Sequence, residues 1–370
     1  MSSGCAQTIV VKQLLNQVAL IMDNPYLMEN PRLAPRVAAA GEALIDLIVQ
    51  GDGRYEPCLG GAVFNLTRAL ARQGVGVLYL NPLSRDRFGR QLAGALAHDG
   101  VQLARPDPVD ENTSLAVVGV DETGHPDYAF YRERVADRAI TADQLSASCQ
   151  RQASLSIVCT GGLALAPDDA VHYLPWLRAQ RDAGKVIVVD ANLRPSVMPD
   201  LTAYRHNVQA AMHMAHLVKV SDEDLENLAV PGANALARAQ YVMETTGARL
   251  LLLTLGKQGA SLLTPDGPRW LAREAGQVDV VDTVGAGDCF LAGFLAAWLK
   301  LQGGDGAADS GEKSPGATNT LLAPLGDATA RQLLAHAVAS ASLCIMRRGC
   351  VPPTSNEVKA RVLQMLCTFG

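Results

Sequence analysis

Val280-Val281-Asp282-Thr283-Val284-Gly285-Ala286-Gly287-Asp288-Cys289-Phe290-Leu291-Ala292-Gly293-Phe294-Leu295 is the stretch on which the fold of this chain turns. Its short apolar start reads as the end of a strand. Two glycines one residue apart then allow a tight turn, and the almost wholly apolar run from Cys289 to Leu299 is long enough for a buried helix. Unpaired N–H groups and the positive end of the helix dipole would meet in that turn and favour an anion. Gly285 and Gly287 put no side chain in the way of a charged oxygen group. Asp288 projects into the same turn. A carboxylate beside an anion cradle is electrostatically awkward unless it faces the group that attacks the anion, as phosphoryl transfer requires. On these residues alone, an ordinary glycine-rich turn with Asp288 as a helix cap accounts for the pattern equally well.

The rest of the chain narrows the choice. At 370 residues with 48% hydrophobic content, it has the length and apolar share of a globular α/β protein. The formal charge of −5 gives no support to nucleic-acid or anionic-membrane binding. No apolar run reaches the roughly 18 residues of a membrane span, and the N-terminus lacks the pattern of a signal peptide. Eight cysteines occur without a C-x-x-C pair, which fits a reducing cytoplasm better than a disulfide framework.

Upstream, Arg36 to Val49 reads as a strand, a small-residue turn and a second strand carrying Asp46. Cys58-Leu59-Gly60-Gly61-Ala62-Val63-Phe64-Asn65 opens a helix on two glycines, with Asn65 about one turn inside. Runs at 115–120 and 127–132, separated by the polar turn 121–124, predict a hairpin. From residue 154 strand-like runs recur at Leu155–Thr160, Val186–Asp190, Leu217–Val220 and Leu250–Thr254, with amphipathic segments between. That spacing predicts a parallel sheet covered on both faces, with ligands at the C-terminal strand ends. Asp190-Ala191-Asn192-Leu193-Arg194, Lys219-Val220-Ser221-Asp222-Glu223-Asp224 and Thr254-Leu255-Gly256-Lys257-Gln258-Gly259 all lie at such ends.

The string D-T-x-G-A-G-D-x-F-x-x-G-F at 282–294 resembles the C-terminal signature of the ribokinase/PfkB-type carbohydrate kinases, with Val284 in place of the usual second Thr. G-G-A-x-x-N at 60–65 resembles the family's first signature, and 130–137 resembles the corresponding stretch of bacterial fructokinases. The resemblance implies a ribokinase-like three-layer sandwich with a mostly parallel central sheet and a small antiparallel β lid. It implies ATP and Mg²⁺, with Asp288 as base and the Gly285, Ala286 and Gly287 amides as an anion hole. Asp46, Gly60, Gly61, Asn65, Arg132 and Arg194 would meet the substrate. Arg132 could otherwise be a surface ion pair with Glu133 or Asp137. Lys219, Ser221, Asp224, Thr254, Gly256, Gly259 and Ser340 would lie on the nucleotide. Asp224 would hold Mg²⁺ through water, although the acids at 222–224 also suit a helix start. Asp282 would take a monovalent cation such as K⁺.

The expected organisation is an extension of unknown role at 1–34 and a kinase domain at 35–370. Its lid segments fall near 43–58 and 112–133, and a flexible insertion at 302–320. Lid closure would exclude water from phosphoryl transfer, and exposed lid edges would favour a homodimer. The implied reaction is ATP-dependent phosphorylation of fructose to fructose 6-phosphate. A 2-keto-3-deoxygluconate kinase, a nucleoside kinase and a catalytically silent binding or scaffold protein are the other readings. His213 and His216 lack a third zinc ligand nearby, and Cys289 faces an apolar helix. No Walker-type G-x-x-x-x-G-K-[ST] is present.

Overall fold

Residues alternating along four apolar runs point in opposite directions and settle the architecture. Ile157, Cys159, Val186, Val188, Leu217, Leu250 and Leu252 enter one buried cluster, while Val158, Ile187, Val189, Val218, Leu251 and Leu253 enter another. A sheet with period-two side chains and two apolar faces needs helices on both sides. The computed structural model describes residues 33–120, 126–267, 269–274, 276, 278–302, 322–364 and 367–369. Ala34–Gly370 form a compact unit. Nearly all of the expected 1–34 extension and 302–320 insertion, and the 121–124 turn, lie outside the described residues.

In chain order the strands are β1 (Val37–Ala39), β2 (Leu44–Val49), β3 (Tyr55–Gly60), β4 (Val77–Tyr79), β5 (Gln102–Leu103), β6 (Ser114–Val120), β7 (Pro126–Tyr131), β8 (Ile157–Gly161), β9 (Val186–Asp190), β10 (Leu217–Ser221), β11 (Leu250–Thr254), β12 (Ala260–Leu263), β13 (Arg269–Glu274) and β14 (Cys367–Phe369). The α-helices are α1 (Ala62–Arg72), α2 (Arg87–His98), α3 (Ala142–Gln150), α4 (Ala170–Asp182), α5 (Leu201–Met214), α6 (Asp222–Asn227), α7 (Ala235–Thr246), α8 (Ala286–Gln302), α9 (Asp327–Ile345) and α10 (Ser355–Gln364). Side chains of Asp86, Thr141, Asp200, Ser221 and Asn234 accept N-cap bonds that start five of these helices.

The large sheet runs β14-β13-β12-β11-β10-β9-β8-β1-β4-β5. It is parallel from β11 to β5 and antiparallel from β11 to β14. From β1 the chain steps outward to β4 and β5, then returns to β8 and builds in the other direction. The switch falls between β1 and β8, where the crevice outside the strand ends is the natural ligand position. Helices α1, α8 and α9 cover one face, and α3 to α7 the other.

A separate four-stranded sheet runs β3-β2-β6-β7. Its outer pairs are antiparallel as expected, but the central β2–β6 pair is parallel. A long excursion through α1, β4, α2 and β5 separates these two strands, so no tight hairpin dictates their direction.

The run before Gly285 is not a strand end. Val280 and Val281 are 59% and 60% exposed, and the amides of Val281 and Asp282 donate to the Ile345 carbonyl instead. The segment is thus tied to the end of α9 rather than to a sheet. Helix α8 is buried from Asp288 to Leu299, as its apolar composition demands. It approaches α9 so closely that a Cβ on Gly293 would lie 2.7 Å from Ser340 Cβ and 3.0 Å from Ala337 Cα. Gly293→Ala is therefore expected to destabilise the protein by about 1–3 kcal/mol, read as a lower urea midpoint at unchanged m-value.

Candidate active site

The parallel register sets Gly161 at the end of β8 beside Asp190 at the end of β9, and Asp190 beside Lys219 of β10, two residues before that strand ends at Ser221. Asp190 and Lys219 come from adjacent, paired positions, and Lys219 Nζ lies 2.9 Å from Asp190 Oδ1 with both residues buried. Burial alone would weaken the Lys219 charge, but Asp190, Asp224 and Asp288 outweigh it and keep the ammonium charged.

Two helices from distant parts of the sequence close over this pair. Asn65 on α1 donates from Nδ2 to Asp288 Oδ2 on α8 across 3.0 Å. The Asp288 carboxyl is pushed up to about 7, first by burial and then by the negative charge of Asp190. Asn65, Lys219 and Arg194 pull it the other way without prevailing. Asp288 is thus a buried carboxyl that ionises near neutrality, the poise a general base needs.

The turn before α8 has the anticipated shape. Gly285 sits at φ +77°, and a Cβ there would fall 2.2 Å from Cys350 Sγ. Glycine is required on both counts. A Cβ on Gly287 would come 3.0 Å from Lys219 Nζ, so the ammonium lies directly against the turn. The expected trio of amides changes in one member. Ala286 donates to the Thr283 carbonyl at 3.2 Å and is spent in closing the turn. The Gly285, Gly287 and Asp288 amides take no protein acceptor among the described residues. Free amides, a helix N-terminus and an ammonium converge there, an arrangement that holds an anion.

Asp46, on β2, lies against Gly60 of the neighbouring strand, where any Cβ would strike its carboxylate. Burial pushes the Asp46 carboxyl up to about 6, while Arg194 holds it down. Arg194 acts likewise, though more weakly, on Asp190 and Asp288. It also donates to its own Leu193 carbonyl at 2.9 Å. The segment before it is bent sharply by Asn192, whose φ of +38° is unusual for a non-glycine residue.

Residues 34–357 match the pfkB family carbohydrate kinase. The chain belongs to that family. It is 32% identical to a fructokinase of Rhizobium leguminosarum bv. trifolii over 72% of this chain and 80% of that protein. It is 31% identical to a fructokinase of Salmonella typhimurium over 71% of this chain and 84% of that protein. The crystal structure of a fructokinase with bound ATP from Xylella fastidiosa superposes with a TM-score of 0.72 at 25% identity, covering 89% and 98% of the two chains. The fold is ribokinase-like, and the protein is a sugar kinase, a phosphotransferase.

Within this PfkB chain the remaining expected residues take varied places. Asp224 is the N3 member of a capping box with Ser221, accepting from the Ser221 amide at 2.8 Å. Its other oxygen accepts from the Leu193 amide at 2.8 Å. It therefore acts as a helix-start acid that also fixes the Asp190–Arg194 turn. Thr254, Gly256 and Gly259 form the turn between β11 and β12, and Gly259 packs where a Cβ would meet the Ala272 carbonyl at 2.3 Å. Ser340, expected to face the nucleotide, is instead fully buried between helices. Its hydroxyl donates to the Cys289 carbonyl at 2.7 Å and accepts from Gln73 at 3.0 Å, because the close α8–α9 crossing leaves no room for a ligand. Asp282 accepts from the Val284 amide at 3.0 Å and the Gly349 amide at 2.9 Å, clasping the turn to the segment after α9.

Arg132 departs furthest from a surface ion pair. Its side chain is 11% exposed and bridges Asp137 at 3.0 Å and Asp169 at 3.4 Å. Burial opposes its charge, but Asp137, Asp169 and Glu42 more than compensate. Sequence reasoning passed over Glu42 and Asp169, and offered Asp137 only as a surface partner of Arg132. Glu42 had a visible signal, being one of two acids in the otherwise apolar Ala38–Val49. It accepts from the Ala62 amide at 2.9 Å at the start of α1, and burial pushes it up to about 7. Arg132→Met would leave the buried Asp137 carboxylate without its cation, although Asp169 keeps Arg138, and should cost about 3–5 kcal/mol, measured by chemical denaturation. Arg132→Lys, which keeps the charge, should lose less.

Proposed function

We propose that the protein is an ATP-dependent kinase that phosphorylates a primary hydroxyl of fructose, giving fructose 6-phosphate. The observation that carries this reading is the Asp288 carboxylate, buried and poised near neutrality beside free backbone amides and the Lys219 ammonium. The acceptor hydroxyl would lie between Asp288 and the amide-lined turn. Asp288 would take its proton as attack proceeds, because an alcohol far above pH 7 in pKa loses its proton with transfer rather than before it. The Gly285, Gly287 and Asp288 amides and Lys219 would hold the charge developing on the transferred phosphoryl group. Asn65 Oδ1 is buried with no protein donor, which suits a second substrate hydroxyl. Asp46, Gly60, Gly61 and Arg194 would frame the rest of the sugar, and Arg132 would support that wall from behind rather than touch the ligand.

ATP is the phosphoryl donor on this reading, in keeping with the ATP named for the Xylella fastidiosa relative. Thr254, Gly256 and Gly259 form the loop that would face the nucleotide. Magnesium takes one or two carboxylates beside phosphate oxygens and keeps most of its water. Buried Asp190 supplies such a hard oxygen, leaving Asp288 as the base, whereas Asp224 already accepts backbone bonds at both of its oxygens. When bound, the ion would neutralise phosphate charge. A monovalent cation such as K⁺ would lie by Asp282, whose carboxylate already gathers the turn. The four-stranded sheet would act as a lid over the sugar beside Asp46, excluding water.

A coupled ADP-release assay over sugars, sugar acids and nucleosides should give its highest kcat/KM with fructose. Folded protein that turns over none of them would reject the kinase reading. Asp288→Asn should lower kcat by about 10²–10⁴ with little change in fructose binding. The wild type should gain activity as pH rises through about 7, where Asp288 ionises. The same carboxyl lowers stability as pH rises. Its folded-state value of about 7 exceeds the ordinary 3.8, so the folded protein holds the proton more tightly. Its stabilising contribution is full below the ordinary value and is lost as pH rises through the raised one. Asp288→Asn should therefore show a Tm advantage over wild type that widens from acid pH to pH about 8.

A further inference from the structure

Directly behind the phosphate-holding turn lies a group of side chains that the reaction does not use. Cys289 on the first turn of α8, Cys344 at the end of α9 and Cys350 beyond it are free, buried thiols. Their sulfurs all lie within 4.8 Å of one another. The elements they join come from parts of the chain 61 residues apart at the extremes (289 to 350). No other Cys, His, Asp or Glu group of this kind occurs among the described residues, and Cys58, Cys149 and Cys159 lie outside it. We propose that Cys289, Cys344 and Cys350 form a binding site for a soft monovalent metal ion of the Cu(I) class.

The chemistry favours that ion. A metal bonded to three sulfurs at about 2.3 Å in a trigonal arrangement holds them about 4 Å apart, within reach of this cluster by small side-chain adjustments. Thiolates select soft ions, whereas magnesium and calcium prefer oxygen. Zinc takes a fourth ligand in a tetrahedral site, and no carboxylate or imidazole joins the three sulfurs here. A disulfide would consume two thiols and leave the third stranded. Coordination is a simple exchange: each sulfur that binds the ion releases its proton to water, and nothing is oxidised.

Occupancy would be felt at the turn. Cys350 Sγ presses against Gly285, Cys289 follows Asp288 in sequence, and the Cys344 thiol reaches the Val284 carbonyl at 3.6 Å. Drawing the sulfurs together would pull on the backbone that presents the free amides. An effect on turnover rests on the kinase reading above, but binding itself does not.

The test is anaerobic titration of the full-length protein with Cu(I) held in a competing chelator. We expect a single equivalent retained, an ultraviolet sulfur-to-copper charge-transfer band and a raised Tm, since a ligand that binds only the folded state stabilises it. Cys289→Ala, Cys344→Ser and Cys350→Ala should each weaken retention by more than about tenfold, while Cys58→Ser should not. X-ray absorption on the copper-loaded wild type should register sulfur neighbours only, which keeps the site testable should a variant fail to fold. Loss of all copper to the chelator, retention that survives every cluster variant, preference for Zn(II), or oxygen and nitrogen neighbours would each overturn the proposal. Fructose turnover measured in parallel separates the two claims. Tight copper binding by a protein inactive on every sugar would sink the kinase reading and leave this site standing.

Discussion

The constraint from which the rest follows is an excess of buried negative charge at the start of α8. Asp190, Asp224 and Asp288 share one neighbourhood with Lys219 and Arg194. Taking a carboxylate out of water costs several kcal/mol unless a cation and hydrogen bonds replace the lost hydration. Asp224 is satisfied by backbone amides, and Asp190 faces Lys219 as an ion pair, although burial still raises its proton affinity. Asp288 receives only the Asn65 amide, and its proton affinity rises accordingly. Unsatisfied demand thus falls on Asp288 beside a turn whose amides stand free. A polyanion entering this space would worsen the repulsion if it came bare. On the proposed reading, a donor arriving with its own divalent counter-ion would bring the positive charge that the acids lack.

Holding Asp288 there requires most of the fold. Asn65 and its partner are 223 positions apart, and they meet only because α1 and α8 pack on the same face of the large sheet. Helix α8 must be buried on every side to put its N-terminus so deep, which is why it carries no charge between Asp288 and Lys300. Burial on every side in turn demands close neighbours, and Gly293 lets α9 approach to within the space of one methyl group. Small residues on α9 serve the helix crossing, and the same crossing excludes Ser340 from any ligand surface.

The sequence was most legible where a single physical requirement acts on adjacent residues. The double-faced strands announced themselves as apolar runs, and the glycine turn and the apolar helix after it appear where expected. Legibility failed where the answer depends on what lies across space. Nothing local distinguishes a strand end from Val280–Val281, two exposed residues whose segment is tied to Ile345 at the end of α9. Whether Arg132 meets solvent or Asp169 is decided by the path of α4, and Asp224's choice between a metal and two amides by the turn at Leu193. A resemblance supplies residue types at a site. It does not supply their hydrogen-bond partners.

The attachment of the four-stranded sheet illustrates how magnitudes decide behaviour. Its base, at Leu44, Ser114 and Tyr131, adjoins the buried Arg132–Asp137–Asp169 network, to which Ser114 also donates, and packs on Leu163. Breaking that network costs about 3–5 kcal/mol, so the base stays fixed. At the other end Arg348 reaches Glu56 and Gln50 from the segment after α9. The Arg348 and Glu56 side chains are 68% and 44% exposed, and such a pair contributes about 0–1 kcal/mol. On the lid reading proposed above, a sheet anchored firmly at one end and weakly at the other would pivot about its anchored end. Asp46 lies two residues from that end, so a pivot moves it little while the far tip swings. Opening of that kind would leave intact the wall that Asp46 and Gly60 form.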